Sequence, residues 1–301
     1  MGASLVGLRD LSAERITALL DHASDLRTRV AGGEARLGVL AGKAVALLFL
    51  EPSTRTRFSF EMATHRLGAE VLAFSAASSS TTKGESLADT TRVLASIGAD
   101  AVVIRHAAVG APHRLEKVLS IPVINAGDGI NEHPTQALLD LLTLRDHLGC
   151  LEGKTVAIVG DLRHSRVARS NCFGLTALGA RVLLAGPGTL CPPELEGLGA
   201  ERCHTLDDVL PHADAVMMLR IQRERAGPGT LPSDAEYRRF WGLTGARAAR
   251  LRAGAVVMHP APMNRGVEID DEVADGPRSV IFEQMANGVF VRMAALMEAL
   301  S

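Results

Sequence analysis

The feature that most constrains the fold is an alternation of short apolar runs with longer amphipathic segments along the 301 residues. The apolar runs, rich in Val, Leu, Ile and Ala, predict strands at 44–50, 70–74, 101–105, 121–124, 155–159, 181–185, 214–219 and 255–258. The segments between them predict helices at 54–67, 86–97, 112–119, 134–148, 166–178 and 233–242. Strands that alternate with helices form parallel sheets covered by helices on both faces.

The long helix at 134–148 divides the predicted strands into two equal groups. A single closed barrel is the alternative, but this division favours an α/β fold of two doubly wound parallel-sheet domains joined by long helices. A helix that follows an N-cap at Ser12 opens the chain, and another over 279–300 closes it. We predict a first domain over 1–132, a second over 133–284, and a C-terminal helix, 285–301, that packs back on the first domain.

Composition and charge exclude several classes of function. The formal net charge of −2 gives no field that would attract nucleic acid or an anionic membrane. No apolar run reaches the ~18 residues of a membrane span, and the first residues lack the pattern of a secretory signal. The four cysteines show no CxxC spacing, which indicates free thiols in a reducing cytoplasm and no metal site.

Ligands of open α/β sheets bind beyond the carboxyl ends of the strands, and "EPSTRTRF" (51–58) follows the first strand. Ser53 to Thr56 should form the first turn of a helix, where free N–H groups and the helix dipole attract anions. Arg55 adds a planar fork that matches phosphate oxygens, whereas Arg57 points elsewhere and should be a structural ion-pair partner. A helix cap with two solvated arginines fits this stretch alone equally well.

Polar residues also follow later strands. Arg105 ends the third strand, and His133 and Gln136 share one face at the start of a helix, where the dipole favours a neutral imidazole. Arg220 and Gln222 are two apart and suit a carboxylate, while residues 223–225 read as a solvated charge cluster. Each of these features, taken alone, is also compatible with a purely structural role.

Seven stretches, in order, resemble the aspartate branch of the aspartate/ornithine carbamoyltransferase family over essentially the whole chain. They are "FLEPSTRTRFSFEMA", "KGESLADTTRVL", "ADAVVIRH", "INEHPTQALLDLLT", "VGDLRHSRVARS", "MLRIQRER" and "HPAPMNRGVEI". The resemblance implies transfer of the carbamoyl group of carbamoyl phosphate to the amine of L-aspartate, giving N-carbamoyl-L-aspartate and phosphate in pyrimidine (UMP) biosynthesis. The first domain would bind carbamoyl phosphate and the second L-aspartate.

The resemblance also implies a role for each matched residue. Ser53, Thr54, Arg55 and Thr56 would hold the phosphate. Thr56, Arg105 and His133 would contact the carbonyl oxygen; Gln136 and the backbone carbonyls of Pro260 and Ala261 would hold the carbamoyl NH2. Arg105, Arg166, Arg220 and Gln222 would bind aspartate. Ser79 and Lys83 would reach into the site of a neighbouring subunit in a homotrimer, and Lys83 would contact both substrates.

The implied chemistry requires neither a protein nucleophile nor a metal or cofactor. The aspartate amine attacks the carbonyl carbon, and three preset donors stabilise the oxyanion, each worth roughly 3–4 kcal/mol when removed. A sister transcarbamylase with another acceptor, or a catalytically silent scaffold, are the alternatives. The ornithine branch carries an SMG-type loop that is absent here. The trimer could also join regulatory chains or another pyrimidine enzyme.

Overall fold

The computed structural model describes residues 2–74, 85–225 and 231–301, and within these ranges the chain divides into two compact units. Unit 1 comprises Met1–Leu139 with Ala286–Ser301, and unit 2 comprises Asp140–Met285. The limits predicted from the sequence, after residues 132 and 284, stay predictions of the domain boundaries. No helix among the described residues is both long and apolar enough to cross a bilayer.

Unit 1 is built on a four-stranded parallel sheet with the strand order β2-β1-β3-β4. Its strands are β1 (Ala44–Phe49), β2 (Glu70–Phe74), β3 (Ala101–His106) and β4 (Val123–Asp128). Its helices are α1 (Ala13–Ala31), α2 (Thr54–Leu67), α3 (Leu87–Ser96) and α4 (Ala111–Glu116), with the first part of α5 (Pro134–Leu148) and most of α11 (Ile281–Leu300).

Alternate residues of the central strands build the core of unit 1. Leu48, Ile104 and Val123 are inaccessible to solvent and pack in one cluster beside α4. Burying a side chain of this size contributes about 1.5–3 kcal/mol, so the cluster fixes the register of β1 against β3. In that register Phe49 pairs with Arg105, which brings the ends of the two strands side by side.

Hydrogen bonds within unit 1 hold α1 and α11 in place. Ser12 caps α1 by accepting from the N–H of Arg15, as the sequence predicts. The Arg15 side chain in turn donates to Glu298 of α11 at 2.9 Å, and Arg292 of α11 donates to Ser59 of α2 at 2.6 Å. Residues 286–301 are therefore part of the framework that carries α2.

Unit 2 contains a five-stranded parallel sheet with the order β7-β6-β5-β8-β9. Its strands are β5 (Thr155–Val159), β6 (Arg181–Ala185), β7 (Glu201–Cys203), β8 (Ala215–Met218) and β9 (Val256–Met258). Its helices include α6 (Arg166–Ala177), α7 (Leu206–Val209), α8 (Asp234–Trp241), α9 (Gly245–Ala248) and α10 (Asp271–Ala274).

The α/β class with two parallel sheets is confirmed, and one strand differs from the prediction. The described residues contain nine strands where the sequence predicted eight, because β7 was missed. Its residues, Glu-Arg-Cys, form no apolar run, and it pairs only with β6 at the edge of the sheet. A short edge strand has one neighbour and needs little apolar surface.

Candidate active site

The first group of candidate residues lies where β1 leads into α2. Ser53 is the extended N-cap of α2, and Thr54 to Thr56 form its first turn, as predicted. No acidic residue occupies this turn, so the positive end of the helix dipole has no carboxylate within the turn. Arg55 is exposed, whereas Thr56 is only 7% exposed. The segment has the elements of an anion site: backbone N–H groups, hydroxyls and a guanidinium.

The cap of α2 differs from the other hydroxyl caps of the described chain. The side chains of six other N-cap residues accept a hydrogen bond from the first turn of their helix: Ser12, Ser86, Ser165, Thr205, Ser233 and Thr244. Ser53 makes no such side-chain bond. Its hydroxyl and the first N–H groups of α2 are therefore not consumed by each other, which suits an external anion.

Of the two arginines in the first turns of α2, Arg55 and Arg57, the second forms an ion pair, as the sequence predicts. Arg57 Nε donates to Glu61 Oε1 at 2.8 Å, one helical turn along, so its role as an ion-pair partner is confirmed. Such an exposed pair contributes only a few tenths of a kcal/mol. Assignment of Arg55 to the phosphate stays a prediction.

Arg105 lies at the end of β3, held by a residue that sequence reasoning missed. Its guanidinium donates to Glu51 Oε1 at 2.8 Å and to the carbonyl of Ala126 at 3.3 Å. Both side chains of the ion pair are largely shielded from solvent, with 11% and 19% exposure. Glu51 lies two residues after the end of β1, the strand that pairs with β3, so it reaches Arg105 from the neighbouring strand.

His133 and Gln136 lie at the start of α5, after a turn held by a second residue that sequence reasoning missed. Asp128, at the end of β4, is inaccessible to solvent and accepts from the backbone N–H groups of Gly110 (2.7 Å) and Glu132 (3.1 Å). It also accepts from the side chains of Asn125 and Asn131. These bonds fix the turn immediately before His133, which is only 4% exposed.

The candidate residues of unit 1 thus follow three neighbouring strands. Residues 53–56 follow β1, Arg105 is the last residue but one of β3, and His133 with Gln136 follow β4. Because the strands are parallel, their carboxyl ends lie along one edge of the sheet. Ser79 and Lys83 lie outside the described residues.

In unit 2, the loops after β5 and β8 carry the candidate aspartate ligands. Arg166 begins α6 and is 7% exposed; Arg220 and Gln222 follow β8. Asp161, which is fully buried, joins the two loops by accepting from the ring of His164 (2.9 Å) and the N–H of Gln222 (3.0 Å). Asp161 is another positioning group without a signal in the sequence.

In the charged segment 223–225, Arg223 and Glu224 are exposed, as expected of a solvated cluster, but its charges also make specific contacts that the sequence did not predict. Glu224 accepts from the guanidinium of Arg220, the pKa of Glu224 is lowered by this bond, and that of Arg220 is raised. Arg223 pairs with Asp234, and Arg225 donates to the carbonyl of His164 at 3.2 Å. The segment folds back on itself as a 3-10 turn, which brings these partners within reach.

Pro260 and Ala261 follow β9, so the last candidate residues also lie at a strand's carboxyl end. The N–H of Ala261 donates to Nδ1 of His259 at 2.9 Å. His259 is inaccessible to solvent and its Nε2 lies 3.3 Å from Oε1 of Glu268, which is equally buried. The sequence showed neither contact.

Comparison with known proteins agrees with this arrangement. The carbamoyl-phosphate-binding domain model of aspartate/ornithine carbamoyltransferases matches residues 3–146, and the Asp/Orn-binding domain model matches residues 152–299. The chain is 56% identical to the aspartate carbamoyltransferase catalytic subunit of Salinispora arenicola (95% of this chain, 94% of the relative). It is 54% identical to that of Myxococcus xanthus, over 97% of each.

Solved structures are similar over the full length. Aspartate transcarbamoylase from Trypanosoma cruzi in complex with carbamoyl aspartate and phosphate superposes with a TM-score of 0.91, at 36% identity, over 100% of this chain and 97% of that chain. Its complex with N-(phosphonacetyl)-L-aspartic acid also gives 0.91, over 100% and 96%. Both domain models, the curated relatives and the parallel-sheet architecture lead to one conclusion: this chain belongs to the aspartate/ornithine carbamoyltransferase family.

Proposed function

We propose that the chain is an aspartate carbamoyltransferase, which transfers the carbamoyl group of carbamoyl phosphate to the amine of L-aspartate. The single observation that carries the proposal is its identity of 50–56% to eight proteins named aspartate carbamoyltransferase catalytic subunits, over at least 95% of this chain. The related Trypanosoma cruzi enzyme is solved with carbamoyl phosphate and aspartate together. The candidate residues of this chain suit both ligands.

Residues of unit 1 would hold carbamoyl phosphate. The first turn of α2 supplies N–H groups, the hydroxyls of Ser53, Thr54 and Thr56, and the guanidinium of Arg55. An anion at a helix N-terminus is stabilised by both the dipole and direct hydrogen bonds. Lys83 and Ser79 of a neighbouring subunit would add a cation and a hydroxyl to the phosphate.

Three donors would stabilise the charge that develops on the carbonyl oxygen. Thr56, Arg105 and His133 follow neighbouring strands, and Glu51 and the Asp128 turn hold the latter two in place. Preset donors act without reorganisation as the oxyanion forms, and losing one costs about 10²–10³-fold in kcat. Gln136 and the carbonyls of Pro260 and Ala261 would fix the carbamoyl NH2.

The second substrate would be bound by arginines with carboxylate-compatible geometry. Arg166, Arg220 and Gln222 follow strands of unit 2, and Arg105 would share in binding. Arg220 holds the carboxylate of Glu224 in this structure, and this supports a role in binding the carboxylate of a substrate. The cationic side chain of ornithine would be repelled by the same residues.

The reaction balances without a covalent enzyme intermediate. The neutral amine of aspartate attacks the carbamoyl carbon, the C–N bond forms, and the C–O bond to phosphate breaks. The departing phosphate leaves with the bonding electron pair and accepts the amine proton. Much of the rate would come from holding the two substrates in line.

The assembly would be a cytoplasmic homotrimer with shared sites, acting in pyrimidine biosynthesis. Mixing the inactive variants Lys83→Ala and Arg55→Ala, then exchanging subunits, should restore part of the activity because some sites regain both groups. Mixed trimers that form but stay inactive would contradict shared sites.

The assay of the proposed activity compares acceptors at neutral to alkaline pH. Purified protein with carbamoyl phosphate should form the ureido product with L-aspartate and not with L-ornithine. Product with ornithine alone would instead support a sister transcarbamylase, and no product with either would support a silent homologue.

A further inference from the structure

The segment after β9 contains a backbone conformation that other residues must maintain. Ala261 has φ 52°, and in the described ranges it is the one non-glycine residue with a positive φ. The left-handed region costs an L-residue roughly 1–2 kcal/mol because Cβ approaches the following carbonyl. Contacts around Ala261 must therefore offset this cost and determine where its peptide groups point.

His259 supplies a direct contact to this peptide. The N–H of Ala261 donates to Nδ1 of His259 at 2.9 Å, across two residues of chain. A ring nitrogen that accepts a hydrogen bond carries no proton, so the proton of a neutral imidazole is on Nε2. There it faces Oε1 of Glu268 at 3.3 Å, and both side chains are inaccessible to solvent.

The imidazole is itself held from several directions within unit 2. Oε1 of Glu268 also accepts from the N–H of Asn264, which fixes the carboxylate. The backbone N–H of His259 donates to Oε1 of Gln284 at 3.1 Å, and Nε2 of Gln284 donates to Asp140 at 2.6 Å. A ring fixed in this way can hold the Ala261 peptide in a defined orientation.

We propose that His259 is a positioning residue that aims the Pro260–Ala261 peptide at the carbamoyl NH2 and so sets the preference for a carbamoyl over an acyl phosphate. The proposal rests on the proposed function, in which the carbonyls of Pro260 and Ala261 accept from that NH2; the Pro260 carbonyl belongs to the same peptide as the N–H that His259 holds. A carbonyl acceptor distinguishes an NH2 group from a methyl group, because only the former donates. Acetyl phosphate, which has a methyl in this place, would gain nothing from the contact.

Two isosteric variants of His259 distinguish the contact made by Nδ1 from the contact made by Nε2. In His259→Asn the amide oxygen can take the position of Nδ1 and accept from Ala261. In His259→Gln the amide reaches towards Glu268, and the Ala261 N–H loses its acceptor. Equilibrium binding of carbamoyl phosphate, acetyl phosphate and inorganic phosphate to the purified full-length protein provides the readout, with folding checked by circular dichroism.

We expect the Gln variant to lose about tenfold in affinity for carbamoyl phosphate, since one hydrogen bond is lost and one peptide loosened. Its affinities for acetyl phosphate and phosphate should stay within about twofold of wild type, and the Asn variant should resemble wild type for all three. Equal losses for all three ligands, or identical behaviour of Asn and Gln, would overturn the role of His259.

A spectrum of the unmodified protein tests the same contact should either variant fail to fold. Histidine side-chain ¹⁵N shifts should place His259 in the neutral tautomer with its proton on Nε2. A proton on Nδ1 would overturn the proposal.

Failure of the proposed function has a different signature. It shows as absence of ureido product from wild type with L-aspartate, whatever the ligand preferences of the variants.

Discussion

The two units carry their candidate residues in different ways. In unit 1, Thr54, Arg105 and Gln136 lie within a helix, a strand and a helix, so the backbone of a regular element places each one. In unit 2, Arg166 begins α6, but Arg220 and Ala261 lie outside helices and strands. The side chains that hold these two come from the same loop, Glu224 in one case and His259 in the other, whereas Arg105 is held by Glu51 from beyond the neighbouring strand.

The ion pairs of the two units show the same contrast. Arg105 and Glu51 are both largely buried, and adjacent strands hold them together. Glu224 is 55% exposed and close in sequence to Arg220, within the same loop. The comparison indicates that unit 1 presents preset donors, whereas the Arg220 guanidinium, in its proposed role, would exchange an internal carboxylate for that of the substrate.

The two units differ in the segments that follow their strands, whereas one strand of each unit, β3 and β8, begins in the same way. The sequence "ADAV" occurs at 99–102 and again at 213–216. Asp100 accepts from the N–H of Ala44 at 2.9 Å, and Asp214 accepts from that of Thr155 at 2.8 Å. In each unit an aspartate before one strand thus anchors the start of its neighbour.

The largest expected effect is at the phosphate site of unit 1. Arg55→Ala should lower kcat/KM by at least about 10³-fold without loss of folding, because it removes a charge-assisted contact to the leaving group. Arg57→Ala is the matched control and should change activity less than twofold, since Arg57 is engaged with Glu61. Steady-state assays of both variants decide it: an Arg55 variant within tenfold of wild type refutes the phosphate assignment.

Arg220 is the corresponding test for unit 2. Arg220→Ala should lower kcat/KM for aspartate about 10²-fold and leave phosphate binding unchanged, because the lost bidentate contact concerns the second substrate. Glu224→Gln keeps Arg220 and removes the carboxylate that competes with the substrate for it. The fall in kcat/KM of this variant should therefore stay below tenfold. Steady-state kinetics at varied aspartate concentration measure both variants. A larger fall in kcat/KM for Glu224→Gln than for Arg220→Ala would contradict this account.

A smaller effect is expected where unit 1 presets His133. Asp128→Asn places an amide where N–H donors converge, so the turn before His133 should loosen. We expect kcat to fall about tenfold and unfolding free energy to fall by about 1–3 kcal/mol. Denaturant titration and kinetics measure both, and a stability loss with unchanged kcat would show that the turn does not set His133.

The smallest effect is expected at Asp100, the aspartate of unit 1 that anchors the start of β1. Its substitution should leave activity unchanged. The N–H of Ala44 and then Lys43 lower the pKa of Asp100 against the opposing effect of its burial. A folded-state pKa below the unfolded value of about 3.9 stabilises the fold above that pH, and this stabilisation is lost as the pH falls through the folded pKa. Asp100→Asn should thus cost about 1 kcal/mol at pH 7 and progressively less below about pH 4. Thermal melts of wild type and variant from pH 7 to 3 test this prediction. A stability difference between the two proteins that does not change with pH would exclude a contribution from the titration of Asp100.

Much of this contrast was open to prediction from the sequence. The runs 44–50 and 155–159 and the helices 54–67 and 134–148 were predicted because apolar periodicity and local capping determine them. Helix geometry also gave the partner role of Arg57, because residues two apart on a helix point in different directions; the structure identifies the partner as Glu61, one turn away. Some candidate residues, such as Arg55, Arg105 and Arg220, followed from their place after parallel strands, and the others from the family resemblance.

The supporting contacts could not be predicted because they join residues far apart in the chain. Glu51 lies 54 positions from Arg105, and Asp128 lies 18 from Gly110. Such pairs form only after the strands have packed, and no local pattern of charge in the sequence predicts them. The bond from Ala261 to His259 spans two residues, but it needs a positive φ that alanine rarely adopts.

One isotope-transfer measurement tests the central claim most directly. The protein is incubated with ¹³C-labelled carbamoyl phosphate and ¹⁵N-labelled L-aspartate, and the product is observed by NMR. Direct attack of the amine predicts N-carbamoyl-L-aspartate whose carbonyl carbon is split by one-bond ¹³C–¹⁵N coupling, formed in step with phosphate release. Phosphate release with the ¹³C recovered only as bicarbonate would contradict the account.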